Sequence, residues 1–170
     1  IATSLALCIA IEKILKINPE LKWPNDITIK GKKVAGVLVD TSIISNEIEN
    51  MILGIGVNFK IKPYKLASTI KKTPNFYGVT TLVKKNGNAL PLVQQFLHEL
   101  ENVFHLINSR RVKKIKNEWT KRSSTIGKNI SIITNEGNLN GKAVKIDSDG
   151  ALIISKGKKT ERILVGDIAK

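Results

Sequence analysis

The chain has 170 residues, with 28 Lys plus Arg against 14 Asp plus Glu and a formal net charge of +14. That length supports one sizeable core, or a core with a small satellite domain. The basic balance suits nucleic acid, an anionic partner or plain solubility. The lysines are scattered, however, and dense only at Arg110-Arg111-Val112-Lys113-Lys114 with Lys116; aromatics are few and do not interleave with them, which argues against a stacking platform for single strands.

Cys8 is the single cysteine, so an intrachain disulfide is excluded, and its apolar neighbours predict a buried, inert thiol. A reducing, cytoplasmic setting fits that usage. The opening apolar run is interrupted by Glu12 and Lys13, too early to span a bilayer, and it lacks a basic leader. The chain begins at Ile1 and its only methionine is Met51. It is therefore expected to be part of a longer protein, with some of its site upstream of Ile1.

In chain order, Thr3 to Lys16 reads as a helix, apolar on most faces and hence buried, capped by Thr3 or Ser4 and ended by Asn18-Pro19. Ile27 to Lys30 is a short strand, Gly31-Lys32 a turn, and Val34 to Ile44 the β-branched partner strand. After a turn at Ser45-Asn46-Glu47, Ile48 to Val57 is a third strand, whose nearly continuous apolar end predicts burial on both faces. Lys60 to Asn75, with Pro63 and Pro74, reads as a surface loop, and Thr80 to Lys85 as a short helix capped by Thr80.

Leu90 to Asn108 is the clearest helix: Leu92, Val93, Phe96, Leu97, Leu100, Val103, Phe104 and Ile107 recur at helical spacing as one broad stripe. Ser109 could cap a further basic helix to about Lys121, with Val112, Ile115 and Trp119 on one face. Near Ser123 the pattern shortens. Ile130–Thr134, Gly141–Ile146, Ala151–Ser155 and Thr160–Val165 read as four strands, turned at Glu136-Gly137, Asp149-Gly150 and Lys156-Gly157. Short antiparallel strands of this kind predict a small SH3-like barrel.

Leu21-Lys22-Trp23-Pro24-Asn25-Asp26 is the densest chemical stretch, and Lys33 and Gly36 follow in the next strand. A lysine near a phosphate or carboxylate acts as a mobile point charge that can stabilise developing negative charge. Gly36 lacks a side chain, so a ligand could approach the backbone there. On residues alone, in a chain with 28 basic residues, Lys32 and Lys33 read first as solvated turn residues. Asn25-Asp26 reads as an Asx-type turn or as a phosphate and magnesium contact, and Trp23 as core or as a pocket wall. Gly54-Ile55-Gly56-Val57-Asn58 is a GxGxN strand end that permits a flat ligand against the backbone; it lacks the third glycine of a dinucleotide fingerprint, and the chain contains no P-loop. His98 and His105 lie seven residues apart on one helix, which does not make a shared metal site. No serine pairs with a histidine and an acid in a triad order.

Taken together, these stretches resemble the biotin–protein ligase family. The resemblance rests on LKWPNDITIKGKKVAGVLVD at 21–40, with Lys33 seven residues after Asp26, on GIGVNF at 54–59, and on the terminal ISIIT, GKAVKIDSDGALIIS and ILVGDIA segments. It implies an α+β fold: a central mixed sheet with packed helices, like that of class II synthetases, over residues 1–122, and an SH3-like domain over 123–170. It implies that ATP and biotin, with magnesium, form biotinyl-adenylate, and that the biotinyl group passes to a lysine of the carrier domain of a biotin-dependent carboxylase. Lys33 would then hold the biotin carboxylate and the adenylate phosphate, with Lys22 beside it in the motif. Asp26 would support the phosphate and bind magnesium, and Asn25 and Asn58 would contact the nucleotide. Gly36, Val37 and Leu38 would border the biotin pocket, with Gly54, Ile55 and Gly56 beside them and Trp23 bracing the shell. The family's glycine- and arginine-rich loop and its Ser/Thr-Thr-Asn-type biotin contact are expected upstream of Ile1. A homodimer is compatible with the resemblance; nucleic acid and membrane partners are not expected. The competing expectations are a lipoate or octanoate ligase or transferase of the same fold, and a non-catalytic basic binding module built on the terminal barrel.

Overall fold

The computed structural model describes residues 1–45, 47–64, 77–83, 87–134 and 137–169. Three helices and nine strands form among them: α1 (Ala2–Leu15), β1 (Glu20–Lys22), β2 (Asp26–Ile29), β3 (Lys32–Ile44), β4 (Glu47–Val57), α2 (Leu90–Asn108), α3 (Val112–Arg122), β5 (Asn129–Thr134), β6 (Gly137–Ile146), β7 (Leu152–Lys156), β8 (Lys159–Ile163) and β9 (Asp167–Ile168). The strands make two sheets, in the orders β1-β2-β3-β4 and β8-β7-β6-β5-β9. Pairing within each is antiparallel, and among the described residues parallel pairing is confined to two isolated bridges, Leu21 with Ser123 and Lys33 with Val79.

Helix α1 is the centre of the core, with Leu5, Leu7, Cys8 and Ile11 all at 2 % exposure or less. Neither Thr3 nor Ser4 is its cap. Ile1 takes that position, and the buried Ser4 hydroxyl donates to the Ile1 carbonyl at 2.9 Å. The helix ends at Lys16 in a left-handed conformation, before Pro19.

The β2–β3 hairpin turns on Lys30 and Gly31, both at positive φ. Two consecutive left-handed residues match the twist of the flanking strands, so Lys32 pairs with Ile29 as the first residue of β3 rather than sitting in the turn. Strand β1, Glu20–Lys22, adds to the other side of β2; three residues were too few to register in the sequence pattern. The expected burial of β4 on both faces does not hold. Met51 and Ile52 are exposed, as are Leu38 and Val39 on β3, because no helix packs on β4 among the described residues.

The expected helix at Thr80–Lys85 is absent over Thr80–Val83, and Lys85 lies outside the described residues. Val79 bridges Lys33, Thr80 N–H donates to the Lys33 carbonyl, and Leu82 and Val83 donate to Asn58 and Phe59. The β-branched run satisfies its backbone alongside the sheet, which outweighs the capping tendency of Thr80. Residues 65–75 of the expected surface loop, with Asn46 and Glu136 of two expected turns, also lie outside the described residues.

Helix α2 has the expected span, but its broad stripe divides. Leu92, Phe96 and Val103 are buried, whereas Val93, Leu97, Phe104 and Ile107 are exposed. Ser109 closes α2 rather than opening α3: its hydroxyl donates to the His105 carbonyl at 2.6 Å, and Arg111 is the α3 cap. Ile115 and Trp119 of α3 are buried as expected. The second sheet has a fifth strand, β9, paired with β5, and β8 stops at Ile163 with Leu164 and Val165 exposed. Its interior is Ile132, Ala143, Ile146, Leu152, Ile154 and Ile168. Among the described residues, no helix is long and apolar enough to cross a membrane.

Candidate active site

A short hairpin builds the centre of the site. Asp26 opens β2 and pairs with Gly36 on β3, so both lie on one face of the sheet. Lys33 reaches over the same spot, with Nζ 2.5 Å from Asp26 Oδ1. A Cβ on Gly36 would stand 3.0 Å from Asp26 Oδ1 and from Lys33 Cε and Nζ. The missing side chain is what lets the ion pair lie flat on the strand. Gly36 pairs with Gly56, and Leu38 with Gly54, so this face continues as bare backbone walled by exposed Leu38. That is an open floor for a flat group, with a cation at one end.

Asp26 Oδ2 accepts a hydrogen bond from the Tyr77 hydroxyl. Oδ1 lies out of line for a hydrogen bond and is held by the charge of Lys33. Lys22 Nζ sits 3.6 Å from the centroid of the Tyr77 ring and donates to the Ile168 carbonyl at 3.4 Å. Burial lowers the Lys22 pKa; the Asp26 and Asp167 carboxylates oppose that shift and Lys33 adds to it. Burial, and then the hydrogen bond to Asp26, push the Tyr77 phenol well above the ordinary tyrosine range. The cluster is thus two ammonium groups and two carboxylates, with Lys33 partly open to solvent.

Lys22, Asp26, Lys33 and Gly36 come together in one place. Asn25 and Asn58 sit behind them, engaged with backbone. Asn25 Nδ2 donates to the Val37 carbonyl at 2.6 Å, and its own carbonyl accepts from Val37 N–H. Asn58 Nδ2 donates to the Lys33 carbonyl at 3.4 Å, and its N–H to Val34. Both fix the strand that carries Lys33. Trp23 is no pocket wall. It is 1 % exposed, its Nε1 donates to the Gly150 carbonyl at 3.1 Å and its N–H to Thr125 Oγ1 at 3.0 Å, so it ties the motif to the segment before β5 and to the turn between β6 and β7. Val37 is buried, and Ile55, paired with it, is partly buried on the inner face.

Asp26 does not fit as the holder of a resident metal. Its oxygens already face the Lys33 ammonium and the Tyr77 hydroxyl, and no group of three or more His, Cys, Asp or Glu that could hold an ion occurs among the described residues. Tyr77 and the Asp167–Ile168 strand were missed by the sequence reading. The Tyr-Gly step ahead of the β-branched Val79-Thr80-Thr81 was the available signal for Tyr77; nothing local marks Ile168, whose contribution is a backbone carbonyl.

The model of the biotin/lipoate A/B protein ligase family matches residues 2–58, and that of the biotin protein ligase C terminal domain matches residues 125–170. The chain is 28 % identical over 168 residues to the bifunctional ligase/repressor BirA of Bacillus subtilis, covering 97 % of this chain and 50 % of that protein. It is 30 % identical over 138 residues to the biotin–[acetyl-CoA-carboxylase] ligase of Paracoccus denitrificans, covering 79 % and 55 %. A mutant of the biotin protein ligase from Aquifex aeolicus, solved in complex with biotin, superposes with a TM-score of 0.80 at 25 % identity, covering 99 % of this chain and 68 % of that one. The chain spans about half the length of the curated relatives it matches.

Proposed function

The chain belongs to the biotin protein ligase family, and we propose that its site serves the ATP-dependent activation of biotin and transfer of the biotinyl group to a lysine of a carboxylase carrier domain. The observation that carries this reading is the Lys33–Asp26 pair lying over Gly36 at the end of a glycine floor. It offers a cation to an oxyanion and bare backbone to a flat ring. In the first step a biotin carboxylate oxygen attacks the α-phosphorus of ATP, the bond to the β-phosphate oxygen breaks, and pyrophosphate leaves with the electron pair. Lys33, drawn from Asp26, neutralises the carboxylate before attack and the phosphoryl oxygens during it. Lys22 supplies a second positive charge. In the second step a neutral lysine amine attacks the acyl carbon, an amide forms, AMP leaves and the amine gives up a proton. The mixed anhydride is already activated, so this step depends mainly on position. Magnesium would come with the nucleotide as part of the substrate, and no residue here is assigned to it.

The same reading divides the chain into part of a catalytic domain, residues 1–122, and a C-terminal domain, residues 123–170. The second sheet, which starts at Asn129, and the C-terminal family match from residue 125 support that boundary. It also carries a cytoplasmic location, where ATP is present and a lone thiol stays reduced.

The test is biotin-dependent exchange of labelled pyrophosphate into ATP. It is run on this chain and on a fusion that adds the part of a relative which the chain does not span. Exchange that requires biotin and is lost in Lys33→Ala supports the reading. Exchange with lipoate or octanoate in place of biotin would move the substrate assignment, and silence with every acid would refute activation.

A further inference from the structure

We infer that Tyr77 is a positioning residue of this site: its hydroxyl holds the second oxygen of Asp26, its ring carries Lys22, and a single side chain outside the KWPND and KxAG motifs thereby sets both lysines. The inference rests on the ligase reading for what the lysines do, and on geometry alone for how they are held.

The backbone delivers Tyr77 to this place. Lys33 N–H donates to the Gly78 carbonyl and Thr80 N–H to the Lys33 carbonyl, both at 2.9 Å, and the buried Val79 forms the bridge opposite Lys33. Gly78 has φ +96 and Lys32 Cγ would lie 3.4 Å from a Cβ there, so the turn before the bridge suits glycine. These contacts lock the register of residues 77–80 on the residue whose ammonium the site uses. Tyr77 then reaches Asp26 across 51 positions of sequence.

A carboxylate turns easily about its last bond, which has only a broad two-fold preference. With Oδ1 against Lys33 and Oδ2 on the Tyr77 hydroxyl, Asp26 is pinned at both ends. Without the hydroxyl, the carboxylate can rotate and take Lys33 with it. The ring face at 3.6 Å stabilises the partly buried Lys22 cation. The charged groups around the cluster are Lys22, Asp26, Lys33 and Asp167, and Tyr77 touches the first two of them.

Tyr77→Phe keeps the ring under Lys22 and removes only the hydroxyl. In the fusion that turns over, kcat for pyrophosphate exchange should fall roughly tenfold while KM for biotin stays within about twofold. Tyr77→Leu, which also removes the ring, should lose more. Wild-type kcat in Tyr77→Phe, or a loss carried wholly by KM, would overturn the inference. An arm independent of activity is urea unfolding of Tyr77→Phe, Asp26→Asn and the double variant. Losses that fail to add support the contact, and additive losses overturn it. If the wild type shows no biotin-dependent exchange, the ligase reading fails, and the unfolding cycle still decides whether Tyr77 holds Asp26.

Discussion

Replacing Gly36 by alanine puts the proposed site under direct strain without replacing any of its charged side chains. The backbone there is extended, so alanine is conformationally allowed. The added methyl would lie 3.0 Å from Asp26 Oδ1 and from Lys33 Cε and Nζ, about 0.4 Å short of ordinary contact at 3.4 Å. The neighbours at fault are the ends of two side chains, one of them a flexible lysine, so they yield and the strand does not. A misplacement of about 1 Å at a reacting group can cost on the order of 100-fold; a shift of about 0.4 Å scales to roughly sixfold to tenfold in kcat/KM. Stability should barely move, because alanine in a strand recovers about 0.5–1 kcal/mol of the glycine penalty, which offsets the crowding. At this chain length 1 kcal/mol corresponds to about 2–4 °C, so Tm should stay within about 3 °C. Pyrophosphate exchange and a thermal melt on the same samples measure both. Gly56→Ala is the control, since its nearest neighbour would be the Gly36 carbonyl at 4.0 Å; it should leave Lys33 in place and act only through ligand binding. A folded Gly36→Ala with wild-type kcat/KM would show that the geometry of the Lys33–Asp26 pair does not limit the reaction.

Lys33→Ala should cost at least about 100-fold in kcat/KM, the scale of a lost transition-state donor, with Tm little changed because the side chain is 41 % exposed; a loss under fivefold would sink its role. Arg122 holds both Glu12 oxygens at 2.8 and 3.0 Å and Glu118 at 2.8 Å, so Arg122→Ala should destabilise by about 2 kcal/mol in urea unfolding. Burial raises the Cys8 pKa to about 12, with Glu12 adding to the shift and Arg122 opposing it, so the native thiol should resist alkylation at pH 8 and react at an ordinary rate in urea. For Glu99, burial raises the carboxyl, but donors from Lys13, Gln95 and Asn102 and the charge of Lys13 outweigh it and leave the pKa lowered. Its stabilisation is therefore full above the ordinary carboxylate value of about 4.3 and is lost as pH falls below that, through the lower folded value. The stability gap between wild type and Glu99→Gln, read from urea midpoints, should be wide at pH 7 and narrow at pH 3.

The parts of the site that local pairing assembles were legible in the sequence. Asp26, Lys33 and Gly36 meet through a two-residue turn at Lys30-Gly31, and a hairpin puts paired residues on one face by its geometry alone. The span of α2 was legible for the same reason, since helical periodicity is a local signal. Which side of that helix would be covered was not, because Val93 and Leu97 are as apolar as Leu92 and Phe96 and only the position of α1 separates them. The Thr80 segment misled in the opposite way. A threonine before an apolar residue reads as a helix start, but Lys33 and Asn58 offered its backbone partners from elsewhere in the chain.

What the sequence hid is concentrated where the Lys22-Trp23 side chains reach the C-terminal residues. Trp23 read equally well as core or as a pocket wall because it stands inside the motif, yet its indole and backbone N–H groups are spent on Gly150 and Thr125, more than 100 positions away. Lys22 likewise donates to Ile168, 146 positions on, and feels the charge of Asp167. The motif therefore has two sides. Asp26 and Lys33 face the glycine floor, while Trp23 and Lys22 grip the C-terminal sheet. A perturbation of β9 should accordingly reach the site through Lys22 before it reaches Lys33. Asp167→Asn removes a charge that favours the Lys22 ammonium and leaves the Lys33–Asp26 contact untouched, so a lysine-selective acylating reagent should label Lys22 faster in that variant and Lys33 at the wild-type rate. Equal labelling of Lys22 in both proteins would mean that the C-terminal sheet holds the motif in place without tuning its charge.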